Sequence, residues 1–169
     1  MLSQLEIEVT KESDIQRSPI RITITGHAVA YARSGMTIRN GKPRAFQPKK
    51  QRNWQGDARQ VARIAMGTKK PLNGCLHVQV NVYAAIPSSW PDWKREAALG
   101  QRIRPTGKPD ASNLVKIVED AFNGVVWMDD AQIVQLSVDK AYSDVPRVQV
   151  DVWPLASYPH SITRKADLR

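Results

Sequence analysis

Residues 108–134 read KPDASNLVKIVEDAFNGVVWMDDAQIV, and the rest of the chain is best read outward from them. Leu114, Ile117, Val118, Ala121 and Phe122 recur at the spacing of one helix face. The spacing predicts a helix over 112–123 with its apolar side on a core. Asn113, Lys116, Asp120 and Asn123 fall on the other side. Ser112 is a good N-cap residue and Gly124 a good residue to follow the last turn. Beyond the helix, Val125 to Trp127 form a strand-like apolar run, and Asp129-Asp130 follow. Val134, Leu136 and Val138 then alternate with Gln135, Ser137 and Asp139, which predicts a strand.

Three more segments alternate in the same way. They are Ile20, Ile22 and Ile24; Leu76, Val78, Val80, Val82 and Ala84; and Val148, Val150 and Val152. Ser143-Asp144-Val145-Pro146 separates the last two strands of the chain and reads as the turn of a hairpin. One-sided alternation argues for a small mixed, largely antiparallel sheet of about four strands. A second main helix is predicted over 50–67, with Trp54, Ala58, Val61, Ala62 and Ala65 on one stripe and Gly67 as its stop. A shorter helix covers Pro91 to Leu99. The stretch 27–49 has turn formers and no period, so it reads as a loop or irregular arm. The expected fold is α/β (α+β), one domain over 1–169 with its core at about 20–154 and loosely held ends at 1–17 and 156–169. A length of 169 residues suits one such domain.

Composition removes several functions. The single cysteine, Cys75, excludes an intramolecular disulfide and a multi-cysteine zinc site, and reads as a small buried hydrophobe. His27, His77 and His160 are scattered. Neither G-x-x-x-x-G-K-[ST] nor G-x-G-x-x-G occurs, which counts against nucleotide hydrolysis and a dinucleotide cofactor. No run reaches the roughly 18 apolar residues of a membrane helix, and residues 1–20 are too acidic for a signal peptide. The expectation is a soluble, cytoplasmic protein with no membrane partner.

The formal charge of +9 is unevenly placed. Residues 27–70 hold eleven basic side chains against Asp57 alone, whereas 110–151 hold eight acidic against three basic. A basic half suits phosphates, and an acidic segment suits hard cations. Arg33, Arg39, Lys42, Arg44, Lys49, Lys50, Arg52, Arg59 and Arg63 are the candidate phosphate contacts. Asp110, Asp129 and Asp130, if gathered by a helix packed on the sheet, would share one pocket and repel one another unless a cation sat between them, while Asp120 projects from the helix's polar face with Lys116. Mg²⁺ fits such a site, because it takes one or two carboxylates with water and phosphate oxygens. Lys116 would then stabilise charge building on phosphorus. Each residue also has a plain structural reading: Asp110 as a helix cap, Asp129-Asp130 as a turn, and Lys116 with Asp120 as a solvated pair one turn apart.

The segment resembles the core motif of the RusA-type Holliday junction resolvases, common in phages and prophages. That motif runs approximately P-D-x-D-N-L-x-K, then D-A-L-x-G, then an apolar run and D-D-x-Q-[IV]. Pro109, Asp110, Asn113, Leu114, Lys116, Asp120, Ala121, Gly124, Asp129, Asp130, Gln132 and Ile133 match it. Weaker likeness extends through SSWPDWKREAALGQ at 88–101 and the basic run around Phe46, Pro48 and Lys49, covering about 20–154. The resemblance implies a homodimer that binds four-way DNA junctions and cuts two strands symmetrically with Mg²⁺, for which Mn²⁺ can substitute. It implies a catalytic set of Asp110, Lys116 and Asp130, with Asp129 and Asp120 supporting the metal and Asn113 nearby. It also implies a bacterial, phage- or prophage-encoded source. The family's second aspartate is Ser112 here. Either another carboxylate compensates, or the hydroxyl holds a metal-bound water, or the protein binds junctions and cuts them poorly.

Overall fold

The computed structural model describes residues 18–33 and 35–155. The two stretches expected as loose ends, 1–17 and 156–169, lie outside the described residues. In chain order the elements are β1 (Ile20–Thr25), β2 (Gly35–Arg39), β3 (Lys42–Phe46), α1 (Lys49–Met66), β4 (Leu76–Ala85), α2 (Asp92–Leu99), α3 (Ala111–Phe122), a single 3₁₀ turn (Asp130–Gln132), β5 (Ile133–Ser143) and β6 (Arg147–Pro154).

Four strands form one sheet in the order β1-β6-β4-β5. β6 runs antiparallel to both β1 and β4, and β5 runs parallel to β4. This is the mixed, largely antiparallel sheet that the alternation predicts. The expected β5–β6 hairpin does not form, because β4 lies between the two strands. A turn sequence reverses the chain without choosing the partner strand. β4 buries Leu76, Val78, Val80 and Val82 along one face and accepts a neighbour on each side: Val78 faces Val152 on one and Leu136 on the other.

The buried face of the sheet carries Ile22, Ile24, Val78, Val80, Val82, Val148, Val150 and Val152. Trp54, Ala58, Ala62 and Met66 of α1 and Leu114, Ile117, Val118, Ala121 and Phe122 of α3 complete the same core. Each fully buried Val, Leu, Ile or Phe contributes about 1.5–3 kcal/mol over its exposed state, so this one cluster sets the position of both helices. The other face is polar. Gln79 bonds to Asn81, and Asp151, only 3% exposed, is held 2.7 Å from Arg21 Nε.

Three local expectations are corrected. The stretch 27–49 is not irregular throughout, since β2 and β3 form an antiparallel hairpin. Asn40 and Gly41 both have positive φ, 53° and 72°, as a two-residue hairpin turn requires, and Asn-Gly is its strongest short signal. Val125–Trp127 is a turn rather than a strand. Trp127 is fully buried, donates Nε1–H to Asn123 Oδ1 at 2.7 Å and meets Phe122 edge-on. Cys75 is exposed, not buried.

Candidate active site

Two ends of α3 hold the predicted residues. At its start the N-cap is Asp110, not Ser112, and the Asp110 side chain makes no capping hydrogen bond. The residue starts the helix through its backbone, its carbonyl accepting from Leu114 N–H at 3.1 Å, so its carboxylate stays uncommitted and exposed. Ser112 and Lys116 are exposed on the same helix. Lys116 Nζ lies 4.6 Å from the centre of the Tyr31 ring, a cation–π contact that holds the ammonium over this end of the helix.

A cleft of about 530 Å³ opens beside Asp110, and its walls include Tyr31, Lys50, Gln51, Lys108 and Asn113. Two hydrogen bonds strap the wall in place. Tyr31 N–H donates to Asn113 O at 3.0 Å, and Ala32 N–H donates to Gln51 Oε1 at 2.9 Å. The far amide nitrogen of Gln51 is buried without a partner among the described residues. Lys140, on β5, donates Nζ to Gly107 O at 2.8 Å and to Pro109 O at 2.9 Å, and so fixes the approach to Asp110. Arg104 ties the same loop to β5 through Asp139 Oδ2 and Lys140 O. Lys140, Gln51 and Tyr31 are absent from the sequence reading. Their roles come from carbonyls and amides distant in the chain, and no local pattern marks them.

The other end of α3 is arranged differently. Asp129 caps the 3₁₀ turn, its Oδ1 accepting from Ala131 N–H at 2.8 Å. Gln132 staples that turn: its Oε1 accepts from Met128 and Asp129 N–H, and its Nε2 donates to Leu72 O and Gly74 O. Asp120 accepts a long bond from Gln55, 3.5 Å. Glu119 is held above its ordinary 4.5, first by burial, then by Asp130 and Asp120, with Lys116 partly offsetting them. Asp130 itself is exposed.

Asp130 therefore lies beside the C-terminal half of α3, and Asp110 at its start. Nine residues of helix, about 14 Å of its axis, lie between Asp110 and Glu119. Among the described residues no three His, Cys, Asp or Glu side chains are grouped to hold a metal ion. The donor set still suits a hard cation at the start of α3. Asp110 offers a free carboxylate with the Ser112 hydroxyl two residues on, and Mg²⁺ needs only one or two carboxylates beside water and phosphate.

The predicted basic residues divide likewise. Arg33, Lys42, Arg44, Lys49, Lys50, Arg52 and Arg63 are exposed, and Arg39 stands opposite Lys42 in the β2–β3 ladder. Arg59 is engaged internally, donating to Asp120 O and Ala121 O at 3.0 and 3.1 Å. It satisfies carbonyls at the end of α3, as a cation near a helix C-terminus does. Lys49 and Lys50 open α1, whose first turn has no acid. Cations there oppose the helix dipole and leave that end strongly attractive to anions.

The start of α3 thus carries an exposed aspartate and an exposed lysine beside a cleft walled by Lys50 and Lys108. The family described as Endodeoxyribonuclease RusA matches residues 25–153. The chain belongs to the RusA family. It is an endodeoxyribonuclease of the Holliday junction-resolving class, a metal-dependent nuclease group that acts on branched DNA. A Bacillus subtilis (strain 168) protein, described as uncharacterized protein YqaN, is similar too: it is 35% identical over 136 residues, which span 78% of this chain and 93% of that protein. The residues matched by the family run from the end of β1 into β6 and include all of α1, α2 and α3. No helix among the described residues is long and apolar enough to cross a membrane.

Proposed function

We propose that this chain is a homodimeric, Mg²⁺-dependent endonuclease that resolves four-way junctions by paired symmetric nicks. The observation that carries the reading is the uncommitted Asp110 carboxylate at the lip of a cleft walled by Lys50 and Lys108. Asp110 and Ser112 would hold the ion. When bound, Mg²⁺ polarises the phosphodiester and lowers the pKa of a water. Lys50, Lys108 and the N-terminal amides of α1 hold the flanking phosphates. Lys116, steadied by Tyr31, faces the charge that grows on phosphorus. Lys140 keeps the loop before Asp110 in one position while the strand is gripped.

Asp130 completes the catalytic set with Asp110 and Lys116, and Asp129 and Asp120 support the ion. A two-fold dimer then presents two equivalent sites to a junction of the same symmetry. The substrate places the reaction in the bacterial cytoplasm, on phage or host DNA. The second reading is a junction-binding protein that cuts weakly, favoured by neutral Ser112 at the position of a family aspartate. Purified protein, incubated with Mg²⁺ and either a mobile four-way junction or a linear duplex, separates the two. Paired symmetric nicks confined to the junction support the enzyme; binding without nicks supports the second reading. Equal affinity for both DNAs would sink both.

A further inference from the structure

We propose that the apolar face of the β2–β3 hairpin contacts unstacked bases at the branch point of DNA, an inference that rests on the junction-resolving reading above. The ladder sorts the hairpin into two faces. Met36 stands opposite Ala45, and Ile38 opposite Pro43. Directly opposed residues of an antiparallel pair share a face, so these four make an unbroken apolar side. Thr37 opposite Arg44, with Lys42 and Phe46, belongs to the other side. Both sides are open: Met36 is 68% and Ile38 78% exposed, and every residue of β3 is exposed. A two-stranded hairpin standing in water is marginal by itself, and its apolar face contributes nothing until something covers it.

The charge around it selects the cover. From His27 to Gly56 the chain has seven Lys or Arg and no Asp or Glu. Lys42 and Arg44 flank Pro43 in β3, so cations and apolar groups alternate along one strand. Phosphates answer the cations, and base faces answer the apolar side. A continuous duplex hides its base faces in the stack, whereas a branch point, like a kinked step, gives an apolar wedge access to them. The hairpin is also braced at its open end. Phe46 lies flat over Gly35, where a Cβ would come within 2.6 Å of two ring carbons. No other residue fits at position 35 without displacing that ring, which spans the two strands in the manner of an aromatic laid across a strand glycine.

The test uses the full chain in EDTA, so that no strand is cut. The DNAs are a four-way junction with 2-aminopurine at the branch, the same junction labelled in an arm, and a duplex. The wild type is expected to raise branch fluorescence and leave arm fluorescence unchanged. The double variant Met36→Ser/Ile38→Ser is expected to abolish the rise and weaken junction binding about tenfold or more, with duplex binding within about twofold. Ile38→Thr keeps strand propensity and is expected to give an intermediate signal at an unchanged melting temperature. Lys42→Gln/Arg44→Gln is expected to weaken both DNAs alike and flatten the salt dependence by about two charges. The proposal is overturned if the Ser variant keeps the fluorescence rise and the junction preference. It is also overturned if that variant changes only the sedimentation mass, which would assign the face to contact between copies. Wild-type protein that prefers the junction without a fluorescence rise defeats this inference alone; loss of the preference itself defeats the function beneath it.

Discussion

The two ends of α3 carry similar side chains and use them in opposite ways. At the C-terminal end Asp129, Gln132, Asn123 and Arg59 all have partners within the chain, and they hold a turn and a helix end in place. At the N-terminal end the Asp110 side chain makes no capping bond, and Lys116 stands over the Tyr31 ring. One motif therefore contains a structural half and a chemical half. Among the described residues the Asp110 carboxylate has no hydrogen-bond partner, and the cleft beside it is cationic.

The sharpest way to break this contrast is Asp110→Asn, which keeps shape and backbone capping while removing the charge. Cutting of a junction should fall by about 10³-fold or more, with junction binding and melting temperature unchanged. Retained cutting would move the chemistry elsewhere. Gln132→Ala tests the structural half. It leaves two amide N–H groups and two carbonyls without their partner, which should cost about 2–3 kcal/mol. That lowers the melting temperature by about 4–10 °C, while the rate per folded molecule well below the midpoint stays near wild type. A melting temperature within a degree of wild type would mean that Gln132 is no staple.

Ser112→Asp probes the chemical half from the other direction. A second carboxylate beside Asp110 should lower the Mg²⁺ concentration for half-maximal cutting about tenfold, and an acid in the first turn suits the helix dipole. An unchanged Mg²⁺ curve would show that position 112 does not face the ion. The smallest effect belongs to Glu119. Its folded pKa is raised above the ordinary 4.5, so the folded state binds the proton more tightly than the unfolded chain. The contribution of Glu119 to stability is thus greatest below about 4.5, declines as pH rises toward the raised folded value, and then stays flat. Glu119→Gln should raise the melting temperature slightly at pH 7, by about 1–3 °C, with no gain near pH 4. A gain of equal size at both pH values would trace to packing instead.

What the chain reveals in advance follows from how local each cause is. Ile22 and Ile24, or Leu114 to Phe122, show their faces through spacing alone, and β1, β4, α1 and α3 lie where that spacing puts them. Asn40-Gly41 also carried a local signal, and the hairpin was readable from it. Pairing is another matter. Nothing in Ser143 to Pro146 says that β4 will separate β5 from β6, because that choice rests on the whole of β4's buried face. The site divides in the same way. Asp110 and Lys116 are legible as residue types at a spacing, but Lys140 acts through carbonyls over thirty positions away.

The order of strands has a consequence for synthesis. β1 leaves the ribosome before the other described strands, yet among the described residues the strand it pairs with is β6, which is made after the rest of the sheet. Until Arg147 to Pro154 emerge, Ile22 and Ile24 have no ladder to join and β4 lacks its neighbour on one side. A message that stops shortly before Arg147 would yield a chain with every proposed catalytic residue and no closed sheet, so it should be a target for proteolysis rather than a slower nuclease.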